Sequence, residues 1–162
     1  MFYSLTFNDV ATGAAADTFK TLAALIAADT AGHRCRLRAL NVGPADDGPS
    51  DLNVELKIAR IADVSAGGAG TTTAVTAANM GRPESVQRDG VITGGRNYTV
   101  EPTAYETEPL WTHGMNIRGG FFKEWGVEEA PVLETDQILG LLAAPRSAAA
   151  IRLSGTLIYE EF

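Results

Sequence analysis

Cysteine is almost missing from this chain. The single Cys35 among 162 residues excludes an intramolecular disulfide and any zinc site built from several thiolates. Histidine is nearly as scarce: His33 and His113 stand far apart, without the short spacings of a metal site, and an exposed or capping role suits each better. Basic residues are outnumbered, 13 Lys and Arg against 20 Asp and Glu, which leaves a net charge of −7. That balance speaks against sequence-independent nucleic-acid binding, which needs a basic footprint, and against adhesion to anionic membranes. Long apolar runs are absent too; the longest, residues 22–28, is far too short to cross a bilayer. No basic segment followed by an apolar one opens the chain, so no secretory signal is expected.

What the chain does have is alternation. From Ile151, the residues Ile151, Leu153, Gly155, Leu157 and Tyr159 interleave with Arg152, Ser154, Thr156, Ile158 and Glu160, the mark of a strand with one buried face. Tyr3, Leu5 and Phe7 alternate with Phe2, Ser4, Thr6 and Asn8 in the same way, and the two stretches are expected to pair. The cleanest alternation sets Leu52, Val54, Leu56 and Ile58 against Asn53, Glu55, Lys57 and Ala59. Residues 34–42 form another strand, with Cys35, Leu37 and Ala39 facing in and Arg34, Arg36 and Arg38 in a row outside. Cys35 is thereby a packing residue rather than a nucleophile.

Other stretches are less regular. Residues 17–28 fit a helix by propensity, with Asp17 as cap. A strand over residues 18–23 passing into a helical turn is preferred because everything around it reads as β. Short strands are expected at 98–100, 103–105 and 110–113, broken by Pro102 and Pro109, and at Phe122-Lys-Glu-Trp-Gly126. Ile138, Leu139, Leu141 and Leu142 form a near-continuous apolar run suited to a central strand, expected to pair antiparallel with the terminal one. Between residues 65 and 96 the pattern dissolves into glycine, threonine and alanine. So long a stretch is expected to be an irregular insertion or arm that orders against a partner. The expected fold is all-β: a single domain over residues 1–162, a two-sheet antiparallel sandwich, jelly-roll-like, with that insertion around 65–96.

Constellations for chemistry are thin. Ser154-Gly155 lies within an amphipathic strand rather than on a nucleophile elbow, and the Gly67–Gly70 stretch lacks the Lys-Ser/Thr of a phosphate loop. Asp46, Asp47 and Asp51 flank a Gly-Pro turn without the ligand order of a calcium loop. Glu124, Glu128 and Glu129 near Trp125 would be the carboxylates of a glycosidase, but nothing in their spacing makes two of them converge. No catalytic residue, metal ligand or cofactor is expected. The arginine row is the charge feature suited to an interaction: guanidinium groups bind carboxylates, on an acidic partner or on the chain itself. Arg34, Arg36, Arg38, Met80, Arg82 and Trp111 are the candidate partner-interface residues. Phe121, Phe122 and Trp125 belong either to the core or to packing between subunits.

Taken in order, Tyr3-Ser-Leu-Thr-Phe7, Asp17-Thr-Phe-Lys-Thr-Leu22, His33-Arg-Cys-Arg-Leu-Arg38, Gly43-Pro-Ala-Asp-Asp47, the 52–60 strand, the Gly/Thr-rich stretch, Phe122-Lys-Glu-Trp-Gly126, the 139–145 segment and Leu153-Ser-Gly-Thr-Leu157 resemble small virion proteins of tailed bacteriophages. The resemblance covers nearly the whole chain and is one of pattern and order. It implies a capsid cement or decoration protein: a jelly-roll-like domain, a homotrimer, bound to the major capsid protein on the outer surface of the phage head after synthesis in the host cytoplasm. It implies no catalytic residues. The alternatives are a tail or receptor-binding module of the same architecture, and a small jelly-roll enzyme dependent on Glu124 or Glu128.

Overall fold

The computed structural model describes residues 1–27, 34–45, 51–62, 68–75, 78–80 and 92–162. Their regular elements are all strands: β1 (Phe2–Ala11), β2 (Lys20–Ala27), β3 (Cys35–Pro44), β4 (Asn53–Arg60), β5 (Thr71–Val75), β6 (Ala78–Asn79), β7 (Ile92–Val100), β8 (Trp111–Asn116), β9 (Phe121–Glu124), β10 (Val132–Leu133), β11 (Ile138–Pro145) and β12 (Arg152–Glu161). They form two antiparallel sheets. In the first the order is β10-β3-β12-β1-β6, with β9 also on β3; in the second it is β5-β7-β2-β11-β4-β8.

This order is a jelly roll. β1 pairs with β12, β2 with β11, β3 with β9 and β10, and β4 with β8, so the chain runs as one long hairpin folded over itself. Successive arms of that hairpin alternate between sheets, and each inward face finds its cover in the other sheet. Leu5, Phe7, Leu37, Leu40, Leu157 and Tyr159 of the first sheet share one core with Leu22, Leu25, Val54, Leu56, Ile58, Leu139 and Leu141 of the second. The expected pairing of the first and last strands is there, from Phe2↔Glu160 to Ala11↔Arg152.

β11 and β12 do not pair with each other, contrary to the sequence expectation. β11 lies between β2 and β4, and β12 between β1 and β3, because the short turn after Pro145 carries the chain from one sheet to the other. The helical turn after residue 23 is absent as well, since β2 continues as strand to Ala27. Its alternation fails at a bulge: the register with β11 slips beside Leu22, which puts Leu22 and Ala23 into the same core. β3 bulges likewise at Arg38, where Leu37↔Tyr159 is followed by Ala39↔Ile158. The inward face therefore passes from Cys35 and Leu37 to Leu40 and Val42, and Ala39, expected to face in, stays out of the main core although it is buried.

The span expected to be an irregular arm contains β5, β6 and the start of β7, which belong to the sheets. Gly94 and Gly95 pair with Leu25 and Ala24, and Thr72 fills the space over Gly95 and donates a hydrogen bond to the Arg96 carbonyl at 2.7 Å. These strands hold their place through the ladder and their neighbours' apolar surface, which is why their own sequence shows no periodicity. Beyond them, residues 101–106 cross the outside of the second sheet. Glu101 accepts the Thr21 N–H at 2.9 Å and its hydroxyl at 2.6 Å, the Thr21 hydroxyl also bonds Tyr105, and Ile61 bridges to Tyr105. Underneath lies a second apolar cluster of Ala24, Ile61, Tyr98 and Ile138. With core on one face and this strap on the other, every residue of β11 is buried.

Candidate functional site

The register of the first sheet decides which side chains share its outer face, because directly opposed residues point the same way. Phe2, Glu160 and Arg36 form one row; Ser4, Ile158 and Ala39 form the next; Thr6, Thr156, Asn41 and Phe122 form the third. Phe2 and Phe122 are exposed, as are Phe162 and Met80. The Met80 N–H donates to the Phe2 carbonyl at 3.1 Å and the Phe162 N–H to the Arg34 carbonyl at 3.1 Å, so the backbone holds Phe2, Met80 and Phe162 at one end of the sheet, with Phe122 two rows away.

The arginine row meets that end. Arg34 pairs with Glu134 at 3.5 Å and Arg38 with Glu160 at 3.5 Å, so two of the three already have carboxylates of this chain as partners. Arg36 has none among the described residues: its guanidinium lies 4.2 Å over the Phe162 ring, and its Nε is buried without a hydrogen-bond partner among them. Of the six residues singled out in the sequence, Arg34, Arg36 and Arg38 lie on or beside β3, Met80 lies across the sheet beside Phe2 at the same end, and Arg82 lies outside the described residues.

Trp111 is elsewhere. It is half-buried at the side of the sandwich where β8 of one sheet faces β9 of the other. Its ring stacks on His113 at 5.7 Å, tilts against Phe121 at 5.3 Å and meets Trp125 edge-on at 5.8 Å, with His113 and Phe121 4.3 Å apart. Trp125 is core and Phe121 packs against it, whereas Phe122, next along the strand, turns outward. Two of the three aromatics therefore belong to the core or pack on it, and Phe122 is exposed.

Glu124, Glu128 and Glu129 are all exposed, and no three His, Cys, Asp or Glu side chains converge among the described residues. Asp51 is exposed and pairs with Arg118 at 3.5 Å, while His33, Asp46, Asp47 and Gly67 lie outside the described residues. Ser154 has a structural bond: its hydroxyl accepts the Asp9 N–H at 2.9 Å. Asp9, at φ 56°, marks a bulge in β1, and its contact with Arg152 holds its carboxyl below the usual carboxylate range. Cys35 is fully buried, and burial, reinforced by nearby Glu161, pushes its thiol up to about 12.

Sequence reasoning put Phe2 and Ile158 on the polar face of their strands without singling them out for an interface, and it missed Phe162. The even positions of the terminal strands carried that signal, but only the register aligns them with the arginines. It also missed the buried polar group of Thr21, Glu101 and Tyr105, whose members lie some 80 residues apart.

No protein-family model matches the chain, and no curated protein matches it in sequence. Among solved structures, that of infectious bursal disease virus, Gx strain, is similar over 100% of this chain at 15% identity and a TM-score of 0.37. The chain spans 32% of the length of that protein.

Proposed function

We propose that this is a virion structural protein, a capsid cement or decoration protein that binds the major capsid protein on the outer surface of a tailed bacteriophage head as a homotrimer. The observation that carries the reading is the outer face of the β1, β12 and β3 sheet. There Phe2, Phe162 and Met80 stand exposed at the end of the sheet that holds Arg36, which has no carboxylate partner among the described residues, and Phe122 stands exposed farther along the same face. A flat, rigid face of mixed apolar and cationic groups suits docking against another protein, and Arg with exposed aromatics is the composition of interface centres. The residue order of the chain supports the same class. Repetition on a lattice supplies avidity, so each copy needs only a modest contact area. On this reading the chain works by binding alone, without a cofactor, nucleic acid or membrane, and its charge of −7 accords with that.

Size-exclusion chromatography with light scattering tests the assembly, and co-sedimentation with expanded heads lacking the protein tests the partner. A particle of three chains that pellets with the heads is expected. A strictly monomeric chain that stays in the supernatant would remove the proposal.

A further inference from the structure

The strap of residues 101–106 closes over a small polar group on the outside of the second sheet. Thr21 comes from β2, Tyr98 from β7, and Glu101 and Tyr105 from the strap itself. Both phenol rings belong to the apolar cluster of Ala24, Ile61 and Ile138, and Tyr98 is only 2% exposed. Burial, with Glu101 adding to it, pushes the Tyr98 phenol up to about 12. Burial moves Tyr105 the same way, again with Glu101 contributing, so one carboxylate bears on both rings.

The hydrogen atoms of this group can be assigned one by one. The Thr21 hydroxyl spends its single hydrogen on Glu101 Oε2 at 2.6 Å, where the Thr21 N–H also donates at 2.9 Å. In the bond between Thr21 and Tyr105 the phenol is therefore the donor. This relay runs from Tyr105 through Thr21 to Glu101 and satisfies Oε2 twice. Glu101 Oε1 and the Tyr98 hydroxyl stand outside it. Both atoms are buried, and neither has a hydrogen-bond partner among the described residues. Polar atoms in such a place ordinarily have one.

Their demands are complementary: a carboxylate oxygen accepts, and a phenol has a hydrogen to give. A group seated between them has to donate to Oε1 and accept from Tyr98. A cation meets the first demand alone, since it accepts nothing and leaves the phenol hydrogen unpaired. Water does both, and buried waters characteristically join polar groups that lack a protein partner. We infer that a single water molecule is built into the fold beneath the strap, donating to Glu101 Oε1 and accepting from the Tyr98 hydroxyl. It fastens the strap to β7, as Thr21 fastens it to β2. The site lies on the second sheet, so the inference does not depend on the reading of the first sheet's outer face.

A crystal structure of the whole chain, from crystals soaked in rubidium and at a resolution that shows ordered water, tests this. The expected result is a peak within hydrogen-bond distance of both Glu101 Oε1 and the Tyr98 hydroxyl, without anomalous signal. A direct bond between the two atoms, no peak between them, or a rubidium signal there would each overturn the inference. In solution, oxygen-17 relaxation dispersion of the solvent measures long-lived internal water. Tyr98→Phe is expected to lower its amplitude by the share of about one molecule while circular dichroism stays unchanged. An unchanged amplitude in the folded variant would also overturn the inference. Should Tyr98→Phe fail to fold, the wild-type crystal decides alone.

Discussion

Gly155 shows how much a single position constrains this sandwich. It interrupts the apolar series of β12 opposite Phe7 and Val42. A Cβ there would fall on the Asn41 carbonyl oxygen and 2.7 Å from the Phe7 ring, so the phenyl group occupies the room that the glycine leaves. Gly155→Ala is expected to destabilise the fold by about 1–3 kcal/mol through overpacking, read as a lower denaturant midpoint at unchanged slope. The same scale governs Cys35. Its folded thiol stays protonated up to about 12, against an ordinary 9.0. The stability this represents is whole below the ordinary value and is lost as pH rises from there towards about 12. Burial, with a smaller contribution from Glu101, likewise moves the Tyr98 phenol from 10.0 up to about 12. Melting temperature is therefore expected to fall between pH 9 and 11, with Cys35 resisting alkylation until the chain unfolds. Rapid labelling of the native protein would contradict this. The buried place of Cys35 was legible in the sequence because arginines flank it on both sides, whereas the carboxylates that meet Arg34 and Arg38 lie before β11 and on β12, beyond local reach.

At the scale of elements, legibility followed how cleanly a strand alternates. β4 and β12 bury one face of a regular ladder, and their sequences say so. β2 does not, because the bulge at Leu22 turns two adjacent residues inward and imitates a helical stripe. β11 shows no alternation because both its faces are covered. β5 and β7 are held by their neighbours, so their threonines and glycines resemble a linker until the sheet is seen. The strap over the second sheet hangs on Glu101, and its expected variant effect is specific. Glu101→Ala leaves the buried Thr21 N–H without its acceptor and should cost about 1–3 kcal/mol. Hydrogen exchange across residues 101–106 is expected to accelerate more than in β12. A uniform change throughout the chain would show that the strap is not a separate unit.

For the molecule as a whole, the sandwich and the pairing of the first strand with the last were readable from two matching alternations. The partners of β11 were not. Adjacent strands usually pair, and only the folded-over hairpin puts these two in different sheets. The proposed docking face was readable in part: Arg34, Arg36, Arg38 and Met80 lie toward one end of the first sheet, but that Phe2 and Phe162 lie there too needed the register. From this arrangement comes the proposal of a passive fastener on a viral shell. Electron cryomicroscopy of expanded heads, reconstructed with and without added protein, tests it most directly. The expected result is extra density on the outer shell in clusters of three copies, each fitted by this sandwich with the arginine face against the shell; heads that show no difference density at saturating protein would contradict it.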